Sequence, residues 1–337
     1  PTIKNGKTYF LKNDGLQNQP ILYVQEGDKI KEVLNPNELR SDGTGAISEH
    51  SFSKSGEFLA YGMADGGSDW RRIYVQNLET GETLADEVKW VKFSGISWAG
   101  NGFYYSRYPE PTKGNELSGS NIFHQVYFHT IGTKQETDKL IFADRINAKR
   151  NFYTSTTKDE KFLILQAVES TSGNALYFQR LDSSELDFYP IYEQFDYDFR
   201  VIGNVEDDLF VLTNHQAPMN RIIKINTKNP AEKNWIEIVA ESENVLQDAK
   251  VMNDKIVGKY LKNAASQMKV FSIEGAYKKQ KKAIDITYED VLEWFNEDFE
   301  LVGTVTQEFS KQLESYVSGT KKKAKKTIPT PKLNPKK

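Results

Sequence analysis

An all-β fold of β-propeller type is predicted for this chain by three observations: a repeat of about 50 residues, the make-up of the repeated unit, and the scarcity of helical periodicity before residue 287. Six times a small polar turn is followed by an aromatic-rich strand, a loop and a second strand built around Tyr or an apolar substitute. The central residues of those second strands are Tyr23, Tyr74, Tyr127, Tyr177, Ile223 and Phe271, spaced 51, 53, 50, 46 and 48 residues apart. One four-stranded blade takes roughly 40–50 residues and cannot cover both faces of its own sheet, so blades must pack face to face. A β-sandwich with coincidentally even spacing is the alternative.

The six turns are Asn5-Gly6-Lys7, Ser55-Gly56-Glu57, Gly100-Asn101-Gly102, Lys158-Asp159-Glu160, Glu206-Asp207-Asp208 and Asn253-Asp254-Lys255. They are rich in residues that tolerate tight backbone conformations. The strands that follow them are TYFLKN, FLAYGM, FYYSRY, KFLILQA, LFVLTNH and IVGKYLK. Phe58-Leu59-Ala60-Tyr61 and Phe162-Leu163-Ile164-Leu165 are apolar almost throughout, as expected where neighbours cover both faces. The partner strands ILYVQE, RIYVQNL, QVYFHTI, ALYFQRL, RIIKIN and MKVFSI are more polar and should lie further out. This propeller region is assigned to residues 1–276.

After the last repeat the period changes. Thr287 and Asp290 resemble a capping box; Val291, Leu292, Phe295 and Phe299, then Val305, Phe309, Leu313 and Tyr316, recur at helical spacing. A helical segment over 277–318 is therefore expected, its stripes being packing faces. Residues 319–337 hold eight lysines and no acid, with almost no apolar residue, and are expected to be disordered. The net charge of −3 thus conceals a strongly acidic remainder. A Lys-rich tail can bind nucleic acid by counterion release, but none of these lysines alternates with an aromatic residue, and a nucleic-acid partner is not expected.

The chain has no cysteine, which excludes a disulfide framework and thiolate zinc sites. No apolar run reaches membrane-spanning length and no membrane partner is expected. The first residue is Pro, read as a sign of a fragment; a cytoplasmic location is expected, with the periplasm left open. No P-loop, dinucleotide fingerprint or H-E-x-x-H motif occurs, and no cofactor or metal is expected. Gly67-Ser68-Asp69-Trp70 and Gly95-Ile96-Ser97-Trp98 approach a nucleophile elbow but lack its closing glycine and a following helix. His124 and His129 are five apart and fall on opposite strand faces, which favours hydrogen-bonded strand histidines over metal ligands. Asp196, Asp198, Asp207 and Asp208 are read as turn residues capping their own backbone. No catalytic residue is assigned.

Several ordered segments carry a family resemblance: YFLKNDGLQNQPILYVQ (9–25), Asn35-Pro36-Asn37 with Leu39, Ser41-Asp42-Gly43-Thr44, FSKSGEFLAYG (52–62), GGSDWRRIYV (66–75), VKFSGISW (91–98), GFYYSRYPEP (102–111) and HQVYFHTIGTKQETD (124–138). Together they closely resemble the propeller domain of prolyl oligopeptidase from Tyr9 to about Asp144. The likeness continues more weakly through Arg150-Asn151-Phe152, Arg221-Ile222-Ile223-Lys224-Ile225 and Lys259-Tyr260-Leu261, and fades after about Gly275. The resemblance implies a seven-bladed, unlatched ring, of which six repeats are visible. It implies a serine peptidase that cuts short peptides after proline, its hydrolase domain gated by the propeller.

Two substrate-binding positions are implied by the resemblance. The family's pocket aromatic falls on Tyr104, in Phe103-Tyr104-Tyr105-Ser106-Arg107-Tyr108-Pro109; the other reading of Tyr104 is a blade-core aromatic. The family's arginine falls on Ala175, in Asn174-Ala175-Leu176-Tyr177, so the guanidinium is missing. Arg180 lies nearby but on the other face. The expected partners are a hydrolase domain of the same enzyme and short proline-containing peptides. A stand-alone peptide- or protein-binding platform, with C-terminal helices in place of the seventh blade, and an inactive peptidase fragment are the alternatives.

Overall fold

The computed structural model describes residues 1–39, 45–64, 68–114, 119–184, 187–252, 254–274 and 286–287. These form six consecutive four-stranded antiparallel meanders. The first comprises β1 (Thr2–Lys4), β2 (Lys7–Lys12), β3 (Ile21–Glu26) and β4 (Lys29–Leu34). The second comprises β5 (Ala46–Phe52), β6 (Phe58–Ala64), β7 (Arg71–Asn77) and β8 (Thr83–Val91), and the third β9 (Ser97–Ala99), β10 (Gly102–Arg107), β11 (Gln125–Thr130) and β12 (Lys139–Ala143). The fourth holds β13 (Asn151–Thr156), β14 (Phe162–Val168), β15 (Ala175–Arg180) and β16 (Tyr189–Tyr192). The fifth holds β17 (Phe199–Val205), β18 (Asp208–Thr213), β19 (Arg221–Asn226) and β20 (Ile236–Val239), and the sixth β21 (Val245–Met252), β22 (Lys255–Lys262), β23 (Ala265–Ser272) and β24 (Ile286–Thr287). Every pairing joins strands adjacent in sequence, except that Arg107 of β10 also pairs with Val91 of β8 and so fuses the second and third meanders.

The six polar turns of the sequence are the first hairpin of each meander. Asn5, Glu160 and Glu206 adopt positive φ there, as do Gly6, Gly56 and Gly100. Such left-handed positions let two twisted strands reverse within a few residues. Neighbouring turns touch: the Asn5 amide donates to the Ser55 carbonyl at 2.8 Å, and a Cβ on Gly56 would stand 2.7 Å from that amide nitrogen.

Five apolar clusters join the meanders in order. Tyr9, Leu22 and Val24 meet Leu59 and Tyr61; Ala60, Ile73 and Val75 meet Trp98, Phe103 and Tyr105; Tyr104 and Val126 meet Phe152 and Leu165. Phe162, Ile164 and Phe178 meet Phe199 and Val211, and Phe210 and Leu212 meet Leu246, Ile256 and Tyr260. β6, β10, β14 and β18 therefore each serve two interfaces, which is why they are apolar on both faces. The first strands are innermost: Ser97 donates to the Thr154 carbonyl at 2.7 Å, Thr156 to that of Trp98 at 2.7 Å, and the Trp98 indole to that of Ser51 at 3.0 Å.

The sixth repeat is offset from its sequence reading. Counting rungs from the first hairpin, the position held by Tyr23, Tyr74, Tyr127, Tyr177 and Ile223 opposite β2, β6, β10, β14 and β18 falls on Lys269, opposite Gly258, and not on Phe271. With no side chain at Gly258, the rings of Tyr260 and Phe271 close over the vacant position, 3.3 and 3.5 Å from where a Cβ would be. At the C-terminal end Ile286 pairs with Met268 and Thr287 with Gln267, so these two residues of the helical segment expected over 277–318 form a strand instead. The remainder of that helical reading and the Lys-rich tail lie outside the described residues.

Candidate functional site

Tyr104 and Ala175 come together in the cluster between the third and fourth meanders. Tyr104 is 7% exposed and packs on Phe128 with ring centroids 4.7 Å apart. Burial, helped by the Glu160 charge, pushes its phenol up to about 12. Ala175 begins β15, is fully buried, and pairs with Ala167. Arg180 closes the other end of β15, where it binds Asp207 at 2.8 Å and Asp182 at 2.9 Å. Five residues of strand, roughly 16 Å, separate the two positions, so Arg180 brings no guanidinium to position 175. Inserting it directly is expected to be costly: Ala175→Arg should lower stability by about 2 kcal/mol through overpacking and desolvation. An unchanged denaturation midpoint would show that the side chain finds an open space there.

The same strand end opens onto a rim formed by the β2–β3-type loops and the links between meanders. Between the second and third meanders this rim bears an aromatic cluster that sequence reasoning missed. Trp70 meets Trp90 edge-on at 5.7 Å and Tyr108 at 6.3 Å, and Phe93 meets Tyr108 at 6.4 Å. The Lys92 ammonium lies 5.3 Å from the Trp70 ring centroid and 5.5 Å from that of Phe93, and pairs with Asp69 at 3.3 Å. Trp90, Phe93 and Phe123 all hold positive φ, a costly conformation for bulky residues that concentrates at functional sites. Phe93 and Phe123 are also among the exposed large apolar residues. The signal was present in DWRR, KWVKF and SRYP, but nothing in sequence spacing shows that three separate loops converge.

A family profile described as the prolyl oligopeptidase N-terminal β-propeller domain matches residues 1–332. The chain belongs to this family. It is 38% identical over 276 residues to a prolyl endopeptidase of Elizabethkingia meningoseptica, covering 81% of this chain and 39% of that protein. It is 31% identical over 303 residues to prolyl oligopeptidase A of Amanita bisporigera, covering 80% and 40%. Among solved structures, prolyl oligopeptidase B of Galerina marginata bound to a 35mer hydrolysis and macrocyclization substrate superposes with a TM-score of 0.76 at 26% identity, over 85% of this chain and 43% of that one. The chain thus spans about 40% of the length of these relatives, in their propeller portion.

Within this prolyl oligopeptidase propeller the remaining polar candidates have structural partners. His124 turns toward the fourth meander, its Nε2–H donating to the Lys92 carbonyl at 3.0 Å and its Nδ1 accepting the Phe152 N–H at 2.9 Å. Burial lowers it to about 4, so the ring is neutral. His129 turns the opposite way, between Asp138 at 2.7 Å and Asp86 at 2.9 Å. Both are hydrogen-bonded, His129 within β11 and His124 immediately before it. Ser97 is buried in β9, and the Ser68 hydroxyl accepts the Trp70 N–H at 3.0 Å; neither stands on a strand-to-helix elbow.

The four turn carboxylates depart from the self-capping expected of them. Asp207 gathers Lys161 at 2.7 Å, Lys228 at 2.6 Å and Arg180 at 2.8 Å, and these contacts, Lys161 first, hold its carboxyl far below the usual range. Asp198 accepts from Gly173 N–H at 2.8 Å and from the Asn214 amide at 3.1 Å. Asp196 receives the Tyr192 hydroxyl, and Asp208 the Asn226 amide at 2.6 Å. Face-to-face packing places Lys161, Arg180 and the Gly173 N–H of the fourth meander opposite Asp207 and Asp198, whereas the partners of Asp196 and Asp208 lie four residues away and across the same hairpin; a charge-assisted bond outcompetes a cap on the residue's own backbone.

Proposed function

We propose that this chain is the access-controlling propeller of a proline-specific serine peptidase, admitting short peptides to a hydrolase domain seated on its loop-rich rim. The observation that carries this reading is the match of residues 1–332 to the prolyl oligopeptidase propeller. The polar first strands facing the axis and the strained aromatics on the rim are consistent with it, the first as a channel wall and the second as a rigid seat for a partner domain. Chemistry would come from the partner, because these 337 residues contain no nucleophile elbow.

The chain by itself should therefore neither hydrolyse a proline-linked chromogenic peptide nor take up a fluorophosphonate label; stoichiometric labelling at one serine would overturn this. Joined to the hydrolase portion of the Elizabethkingia meningoseptica enzyme, it should support cleavage of a short proline peptide and spare a folded protein with an exposed X-Pro bond. Equal cleavage of both substrates would sink the gating role.

A further inference from the structure

The chain contains two Asn-Gly dipeptides, Asn5-Gly6 and Asn101-Gly102. Both lie at the first hairpin of a meander, but the fold gives them different registers. In the first meander Lys4 pairs with Lys7, so Asn5 and Gly6 are the two turn residues. Both have positive φ, 50° and 74°, as a type I′ turn requires. In the third meander Ala99 pairs with Gly102, so the turn is Gly100-Asn101 and the glycine is already a rung of the ladder.

This shift of one residue changes the chemistry open to each asparagine. The side-chain Cγ of an Asn that precedes Gly is open to attack by the glycine's backbone nitrogen, because no Cβ obstructs the approach. The attack needs that nitrogen free to give up its proton and to move. Gly6 is exposed, its N–H has no hydrogen-bond partner among the described residues, and a Cβ built on it would meet nothing within 4 Å. Gly102 is buried, with Ala99 of β9 opposite it on one side and Thr130 of β11 on the other. The closing pair of a two-residue hairpin holds its N–H in the ladder. A Cβ on Gly102 would lie 2.1 Å from the His129 carbonyl oxygen, so the backbone there has no room to turn. The Asn101 carbonyl is fixed as well, accepting the Ile131 N–H at 3.0 Å.

We propose that Asn5 is a site of spontaneous deamidation built into the first hairpin, and that its conversion releases this turn from the first hairpin of the second meander. The Gly6 nitrogen bonds to Asn5 Cγ, the Cγ–Nδ2 bond breaks, and the side-chain nitrogen leaves as ammonia, carrying the proton that Gly6 gave up. Water then opens the five-membered imide at one carbonyl to give aspartate or at the other to give isoaspartate. Asparagine and water thus become an acid and ammonia, with no other reactant. The departing nitrogen is the one that donates to the Ser55 carbonyl at 2.8 Å and stands against the Gly56 backbone. After conversion a carboxylate oxygen faces that carbonyl oxygen, two acceptors with no proton between them. In isoaspartate the main chain also runs through the former side chain and is one carbon longer, so the Lys4–Lys7 pair no longer closes over a two-residue turn.

The test is peptide mapping by mass spectrometry of the full chain, held folded at pH 9 and, in parallel, unfolded in urea at the same pH. In the folded chain the peptide bearing Asn5 should gain one mass unit and separate into aspartyl and isoaspartyl forms. It should do so at least about tenfold faster than the peptide bearing Asn101, whose ladder must open before it reacts. In urea the two should convert at like rates. Asn5→Asp, which carries the carboxylate from the start, should melt about 2 °C below the parent. The proposal is overturned if Asn101 converts as fast as Asn5 in the folded chain, if Asn5 keeps its amide over the time in which the unfolded chain converts, or if Asn5→Asp melts with the parent. None of these readouts involves peptidase activity, so the outcome is independent of the gating role.

Discussion

Asp138→Ala should lower the stability of the propeller by about 3–5 kcal/mol, the usual loss when one partner of a buried ion pair is removed. His129 is fully buried between Asp138 and Asp86; Asp138 also accepts the Tyr105 hydroxyl at 2.7 Å, and Asp86 the Gly132 N–H at 2.7 Å. Burial alone would lower the imidazole, but the hydrogen bonds and charges of the two carboxylates outweigh it and the pKa is raised. A group raised on folding stabilises fully below its unfolded pKa, roughly 6.5, and that contribution is lost as pH rises through the folded value. The melting temperature of Asp138→Ala should therefore lie on the order of 10 °C below the parent at pH 6, and the gap should narrow at pH 9. A gap that is constant, or that widens with pH, would mean that His129 is not held as a cation.

A loss of at least about 3 kcal/mol is expected from Gly173→Ala, although it adds a single methyl group. Gly173 has φ +75°, and a Cβ there would lie 1.9 Å from the Phe195 carbonyl oxygen, a backbone atom that cannot rotate away. The neighbouring chain is fixed on both sides. Asp198 accepts the Gly173 N–H, while the Asn174 side chain accepts the Phe199 N–H at 2.8 Å and donates to the Phe199 carbonyl at 3.1 Å. The strained backbone and the forced separation add together. Urea denaturation checks this, and a change below about 1 kcal/mol would mean that the link between the fourth and fifth meanders yields easily.

What could be read from the sequence follows from which strands carry strong patterns. The second and third strands of each meander were legible because FLAYGM or LFVLTNH must be apolar to serve two interfaces. The first and fourth were not: β1 is only Thr-Ile-Lys, β9 only Ser-Trp-Ala, and β4 reads KIKEVL, exposed over most of its length. Such strands owe their existence to the ladder beside them rather than to their own composition. The sixth repeat slipped by two residues because Phe271 is the aromatic of β23 while the equivalent rung carries Lys269. At the candidate site, the pairing of Tyr104 with Ala175 in one cluster joins residues 71 positions apart, and the convergence of Trp70, Phe93 and Tyr108 on the rim is equally non-local. Local periodicity contains neither.

Each meander is made from one uninterrupted stretch of chain, with no strand lent by a later one. During synthesis every sheet can therefore be completed as soon as its own residues emerge, using only contacts of short sequence separation. It then presents its finished face as a template for the next. The nascent protein grows by accretion in one direction, each new meander covering the face that the previous one left open at the advancing end, so the interval in which that sticky surface is open is set by the rate of translation rather than by a search among distant segments.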